Sequence, residues 1–424
     1  MKRKEIKVKG FARRDGLLWG EDVDLRTITG KIGTPCFIYS RPVLLANVHR
    51  FQEAFTGMNA LICFAVKANR SLAILQTLAQ QGLGFDLVSG GELEAVLRAG
   101  GCPQRLIYSG VGKTRDELYR ALSRGIFQFN VESKEELEGI RQCAKELGCC
   151  APVALRVNPD VEAATHPYIG TGSAQHKFGI DLAEIPSLLE TFRGWKEIRF
   201  QGLACHIGSQ ICSLRPFHRA FSRMAQLVRD LRTAGVRVKT IDLGGGLGVR
   251  YHREKPLCLK KYAELIRKYF APFDAMILME PGRRLMEDAG ILVTRLLYRK
   301  ETRGKQFYIV DAGMNDLIRP TLYQAWHPIL PINLSAKRKV RKTDVVGPLC
   351  ETGDFLAKNR LLPEMEPGEE LAILQAAAYG YAQSSNYNAR CRAAEIMITG
   401  KTWVEIRRRE TLDDLFRTEV LLPQ

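Results

Sequence analysis

The chain has 424 residues, 46% hydrophobic and 26% charged, with a formal net charge of +17. That length exceeds one ordinary core and predicts two domains, and the composition excludes disordered and fibrous classes. The 63 Lys and Arg are interleaved with 46 Asp and Glu. The densest basic run, Lys337-Arg338-Lys339 with Arg341-Lys342, is short, so a solvated basic surface is expected rather than a nucleic-acid partner. No apolar run approaches the ~20 residues of a membrane span. The basic opening MKRKEIKVKGFARRDG lacks the apolar centre of a signal peptide. Eleven cysteines without a CxxC pair argue against a zinc site or a disulfide framework. Reduced thiols in a cytoplasmic protein, without membrane or metal, are therefore expected.

In chain order, residues 1–35 are short and strand-like, with glycines at 10, 16, 20 and 33. Near-continuous apolar runs then recur at Leu61–Val66, Gly84–Val88, Arg105–Tyr108 and Ile126–Val131. They continue at Val153–Val157, Phe200–Cys205, Val238–Leu243 and Ala275–Met279, the pattern of parallel strands buried on both faces. Helical segments lie between them. Ser89-Gly-Gly-Glu92 reads as a capping box with Gly100 as the stop, and Ser133-Lys-Glu-Glu136 opens a helix that Gly148 closes. Eight such strands over about 250 residues predict an α/β fold, a (β/α)8 TIM-type barrel at 36–284. A doubly wound sheet is the alternative. After Arg284 the texture changes to β-formers and turns, as at Ile291–Tyr298 and Phe307–Val310, and no long helical repeat appears until Ala389. Residues 1–35 with 285–424 thus read as a mainly β second domain.

A barrel places its chemistry just after the strands. Polar residues collect there: Lys67 and Asn69, Asp86 and Ser89, Ser109, Asn130, Arg156 and Asn158, His206 and Ser209, then Glu280 and Arg283. The stretch FAVKAN ends a buried strand with a lysine, an amine placed to attack a carbonyl. DLGGGLG, Asp242 to Gly248, permits a tight turn with exposed backbone N–H groups, which suits a phosphate. It is neither a Walker A motif nor GxGxxG, and a plain βα turn would read the same. A lysine nucleophile with a phosphate cradle suggests pyridoxal 5'-phosphate. Glu280 in EPGRRL can accept from a protonated pyridine nitrogen, Arg283 can pair with a phosphate or carboxylate, and His206 can stack on a ring.

Together FAVKAN, FDLVSGGEL, HIGSQ, DLGGGLG, EPGR, DAGMNDLIRPTLYQAWHPI, GPLCETGD and AYGYAQSSNYN resemble the diaminopimelate decarboxylases. These are lysine-biosynthetic pyridoxal-phosphate enzymes with an alanine-racemase-like barrel and a β domain. The motifs run in family order from residue 64 to residue 388. The resemblance implies that Lys67 carries the cofactor and His206 stacks on it. It implies cofactor contacts from Ser209, Gly244, Gly245, Gly246, Glu280, Gly282 and Arg283, with Tyr379 reaching the phosphate. Arg283, Arg319, Tyr323, Glu351 and Tyr379 are implied on the substrate, and Cys350 as the proton donor across a homodimer interface, so that two chains share each site. Departures from the family pattern are small: Gln175-His176 before KFGI, Thr352-Gly353 after the Cys-Glu pair, and Ala377-Ala378 before Tyr379.

The implied reaction is decarboxylation of meso-2,6-diaminopimelate to L-lysine and CO2, the last step of lysine biosynthesis. Ornithine-, arginine- and carboxynorspermidine-type decarboxylases are the rival enzymes. A distal carboxylate calls for an arginine such as Arg319, which with Tyr323 and the Cys350-Glu351 pair favours diaminopimelate. A catalytically dead binding protein would lack the lysine or the thiol, and both are present.

Overall fold

The computed structural model describes residues 9–161, 177–334 and 338–424; Lys337 and Gln175-His176 fall outside these. Two compact units emerge: residues 47–250 with 254–284, and residues 1–46 with 251–253 and 285–424.

The first unit is a closed barrel of eight parallel strands. They are Ala60–Ala65, Gly84–Leu87, Leu106–Tyr108, Gln128–Val131, Ala151–Asn158, Ile198–Ala204, Thr240–Asp242 and Met276–Met279, each bonded to the next. The ring closes where Met276–Met279 pairs with Ala60–Ala65, with Leu278 opposite Leu61. Burial on both faces explains the unbroken apolar runs: Gly84–Leu87, Leu106–Tyr108 and Gln128–Val131 are buried at every position. The side chains of Ser89 and Ser133 cap helices Gly90–Arg98 and Lys134–Glu146. In both, the glutamate reaches one residue further back than a capping box requires. Glu92 accepts from the N–H of Val88 at 2.8 Å and Glu136 from that of Glu132 at 2.9 Å, which ties each helix start to the end of the preceding strand. In this unit a complete capping box joins Thr114 with Glu117, on helix Arg115–Ser123.

The second unit is mainly β. Strands Phe11–Arg14, Leu17–Gly20 and Val23–Asp24 form a small sheet, followed by helix Leu25–Ile32. A larger sheet is built on Gly290–Thr302, a strand that pairs with Lys305–Val310, Glu370–Leu374 and Cys36–Ser40. Its core joins Phe11, Leu25 and Ile28 to Ile38, Ile291, Leu374 and Ile396. Two expectations need correcting here. Cys36–Ser40, expected to open the barrel, is a fully buried strand of this sheet, so the unit boundary lies at Ala46/Asn47. The helical pattern expected from Ala389 is instead a hairpin, Ala394–Thr399 with Thr402–Arg407. Its first strand pairs in parallel with Cys36–Ser40, and burial on both sides overrides the helix-forming residues in it. Helix returns only at Leu412–Phe416.

Candidate active site

At the carboxyl end of the first barrel strand the chain turns through a short 3-10 segment, Val66–Ala68, that carries Lys67. Its amine donates to Oδ2 of Asp86 at 3.1 Å. Asp86 is wholly buried, and its Oδ1 lacks a hydrogen-bond partner among the described residues. The second strand supplies Asp86 because Ala65 pairs with Asp86 in register. The Pro281-Gly282 turn after the eighth strand lies against this strand end. A Cβ on Gly282 would stand 3.0 Å from that of Ala68 and 3.2 Å from that of Ala65, so a larger residue would push the two loops apart by a few tenths of an ångström.

Deeper in the barrel, Asn130 ties four strands together. Its amide donates to Oδ2 of Asp242 at 2.9 Å, to Ser109 Oγ at 3.1 Å and to Glu280 Oε1 at 3.4 Å. Gln128 fixes that amide by donating to Asn130 Oδ1 at 2.8 Å and accepting from Thr240 at 2.7 Å. Burial, with the charges of Asp242 and Asp86, pushes the Glu280 carboxyl well above the ordinary carboxylate range. Asp242 is also raised by burial, though N–H donors from Asn130 and Gly244 oppose the rise.

The glycine run after the seventh strand positions its neighbours closely. Gly244 N–H donates to Asp242 Oδ1 at 2.9 Å, and Gly245 N–H to His206 Nδ1 at 3.2 Å. Gly244 and Gly246 have φ of +63° and +94°. A Cβ on Gly245 would run into the Glu280 carbonyl, and one on Gly246 into that of Gly208. Burial drives His206 well below its ordinary value, with the positive charges of Lys67 and Arg156 adding to the effect. The ring is therefore neutral, and because Nδ1 accepts, Nε2 carries the hydrogen. Arg283 donates to Ser209 Oγ at 3.2 Å.

In the β unit, Arg319 opens the helix Arg319–Tyr323 and is nearly buried. It donates to the Tyr251 hydroxyl at 2.6 Å and lies 3.7 Å from the buried Glu287 carboxylate. Thr321 of that helix donates to the Gly353 carbonyl at 2.6 Å, which fastens it to the loop carrying Cys350 and Glu351. Cys350 is exposed, and its N–H donates to Asn388 Oδ1 at 3.0 Å. The Tyr387 hydroxyl hydrogen-bonds Glu351. Tyr379 sits at φ +58°, a left-handed conformation that a tyrosine rarely takes.

Residues 43–287 match the pyridoxal-binding domain of the pyridoxal-dependent decarboxylases. Over 414 residues the chain is 49% identical to the diaminopimelate decarboxylase of Pseudomonas aeruginosa, covering 98% of this chain and 99% of that one. The chain belongs to the diaminopimelate decarboxylase family. Among solved structures, diaminopimelate decarboxylase from Helicobacter pylori complexed with L-lysine superposes with a TM-score of 0.90. It is 38% identical, with 93% of this chain and 99% of that one covered. The M. jannaschii diaminopimelate decarboxylase in co-complex with L-lysine gives 0.93 at 34% identity, covering 98% of each chain.

The donors present fit the cofactor of pyridoxal-dependent decarboxylases. A part-exposed amine for its aldehyde, a buried carboxyl for its ring nitrogen, a neutral imidazole, and an arginine–serine pair for its phosphate all belong to the barrel unit. Lys67, His206, Ser209, Glu280, Gly282 and Arg283 thus lie together at the ends of strands one, six and eight. The β unit gathers Arg319, Tyr323, Cys350 and Glu351, with Gln383 Nε2 3.5 Å from the Tyr323 hydroxyl. Sequence reasoning noticed Asp86, Ser109 and Asn130 as strand-end residues but gave none of them a task, and it treated Asp242 only as the start of a glycine motif. Their signal was a run of buried positions ending in an amide or acid. Tyr387 and Asn388, inside SSNYN, were also passed over.

Proposed function

We propose that the protein removes one carboxylate of meso-2,6-diaminopimelate, giving L-lysine and CO2, with pyridoxal phosphate as cofactor. The observation that carries this reading is the Lys67–Asp86 pair at the tip of the first barrel strand, in a chain 49% identical to a diaminopimelate decarboxylase along nearly its whole length.

Pyridoxal phosphate, when bound, supplies an electron-accepting ring for the charge left on the α-carbon as CO2 departs. Lys67 would hold the cofactor through its amine, and Glu280 would hold a proton at the ring nitrogen, which keeps the ring electron-poor. The neutral His206 ring would help to exclude water from the bound ring. Ser209, Arg283 and the glycine run bind the phosphate, with Tyr379. Because the N–H groups of Gly244 and Gly245 are already spent on Asp242 and His206, Gly246 is the member of the run left to this task.

Arg319 and Tyr323 hold the distal carboxylate and Glu351 the distal amine, while Arg283 pairs with whichever carboxylate approaches the phosphate. Tyr251 and Glu287 hold the Arg319 guanidinium, so it keeps one orientation in which to present a fork to a carboxylate. The Cys350 thiol, exposed on its loop, delivers the proton to the α-carbon. We read the active form as a homodimer in which Cys350 and Tyr379 of one copy complete the other copy's site. Eleven cysteines, all unpaired, suit a reducing cytoplasm.

A product assay on purified protein with meso-diaminopimelate, ornithine and arginine in parallel tests this. Lysine and CO2 from diaminopimelate alone are expected. Equal or faster turnover of ornithine would overturn the substrate.

A further inference from the structure

Three carboxylates, Asp86, Asp242 and Glu280, end the second, seventh and eighth barrel strands, and all are buried. Two nearby cations are already engaged. Lys67 pairs with Asp86, and Arg156 pairs with Glu132. Asp242 and Glu280 face each other, hydrogen-bonded together, with the Asn130 amide spanning both. His206 beside them is neutral, and the Cys63 and Cys205 thiols are held protonated by burial. Two buried carboxylates in contact do not both ionise. Their partners decide which keeps the proton. Asp242 accepts two N–H bonds of 2.9 Å, from Gly244 and Asn130, whereas Ser109 and Asn130 reach Glu280 only at 3.4 Å. Donors favour the ionised form, so Asp242 is the carboxylate and Glu280 the acid.

We propose that the Asp242–Glu280 pair stores, in the cofactor-free protein, the proton that the cofactor's ring nitrogen requires, and that Asp242 is the positioning residue that keeps it on Glu280. On cofactor binding the Glu280 O–H bond breaks and an N–H bond forms at the ring nitrogen. Glu280 becomes a carboxylate, and the ring cation replaces the lost proton as the charge that balances the pair. No proton has to enter from solvent at this position. The inference rests on the reading of Lys67 as the pyridoxal phosphate site.

The infrared difference spectrum between the pyridoxal-phosphate-loaded and cofactor-free protein tests it directly. Loss of one protonated-carboxyl band on loading is expected, and its absence from the same difference in Glu280→Gln assigns it. No band lost from the wild-type protein would overturn the proposal. Calorimetry in buffers of differing ionisation enthalpy gives a second readout. Asp242→Asn keeps an acceptor for Gly244 but removes one of the charges that raise Glu280, so Glu280 ionises at lower pH in the variant although burial still holds it up. At a pH between the two transitions that variant should take up more protons per site on loading than the wild type, up to about one. Equal uptake would sink the role of Asp242. Should Asp242→Asn fail to fold, the wild-type infrared result still decides. Borohydride reduction and peptide mapping of the loaded protein separate the two failures. Label away from Lys67 removes the underlying reading and the inference with it, whereas label on Lys67 without band loss removes the inference alone.

Discussion

The Lys67 amine and the Asp86 carboxylate lie 3.1 Å apart, the acid wholly buried and the lysine side chain 38% exposed. That bond aims the amine that must attack the aldehyde of pyridoxal phosphate. Asp86→Ala removes it, so at a fixed pH and time the cofactor-free protein should trap less borohydride-reducible pyridoxal-phosphate label on Lys67. Labelling as fast as the wild type's would contradict the pairing.

Glu280 gives the cofactor-free protein a pH dependence of definite sign. Its carboxyl lies above the ordinary value, so its stability contribution is complete below that value and is lost as pH rises through the raised one. Glu280→Gln mimics the protonated acid. Urea midpoints of the cofactor-free variant should decline less than those of the wild type between pH 6 and 9. An equal decline would show that Glu280 is ionised throughout.

His206 has the opposite sense. Its depressed value means that its contribution is complete above pH 6.5 and lost as pH falls. His206→Phe keeps a flat ring but removes the acceptor for Gly245 N–H. An unsatisfied N–H of this kind costs about 1–3 kcal/mol, readable as a lower urea midpoint above pH 7. The variant should also lose the wild-type protein's decline in stability below pH 6.5.

Arg319→Ala should cut kcat/KM for diaminopimelate by about 30- to several-thousand-fold, the factor for roughly 2–5 kcal/mol of charge-assisted pairing. Visible absorbance of the bound cofactor should survive. The Glu287 carboxylate adds a second expectation. Taking away one member of a buried pair costs about 3–5 kcal/mol, so unfolding should come at lower denaturant. Arg319→Lys keeps the charge without the fork and should recover more stability than activity. Undiminished turnover by Arg319→Ala would end the distal-carboxylate role.

Mixing Lys67→Ala with Cys350→Ala, each inactive alone, tests whether chains share a site. Random exchange puts half the chains' pairings into mixed dimers with one intact site each, so activity should return to about a quarter of the wild type. No recovery, with exchange verified by mass, would place both residues' work within one chain.

The barrel was legible because strands buried on both faces carry no alternation to confuse with a helix, and each ends on a polar residue. Lys67, His206, Glu280 and Arg283 could be read from such endings. The partnerships could not. Asp86 meets Lys67 only because the first two strands pair Ala65 with Asp86, and Asn130 reaches Asp242 across 112 positions of chain. Register between strands is a tertiary quantity, invisible in a single run of residues. Cys36–Ser40 misled for the same reason. It is apolar like a barrel strand, and only its pairing with Ile291 and Ile396 assigns it to the other sheet.

That strand also sets an order of events during synthesis. Cys36–Ser40 leaves the ribosome early, but its neighbours Gly290–Val293 and Ala394–Ile398 follow about 250 and 350 residues later. At roughly 5–20 residues per second, the interval before the first neighbour appears is on the order of ten seconds to a minute. The barrel's closing strand, Met276–Met279, appears only at the end of that interval, and until then the buried strand Cys36–Ser40, apolar except for Ser40, waits with both edges bare. A nascent chain in that state is a natural client for a holding chaperone, and a stall in translation before residue 290 would leave it open to aggregation.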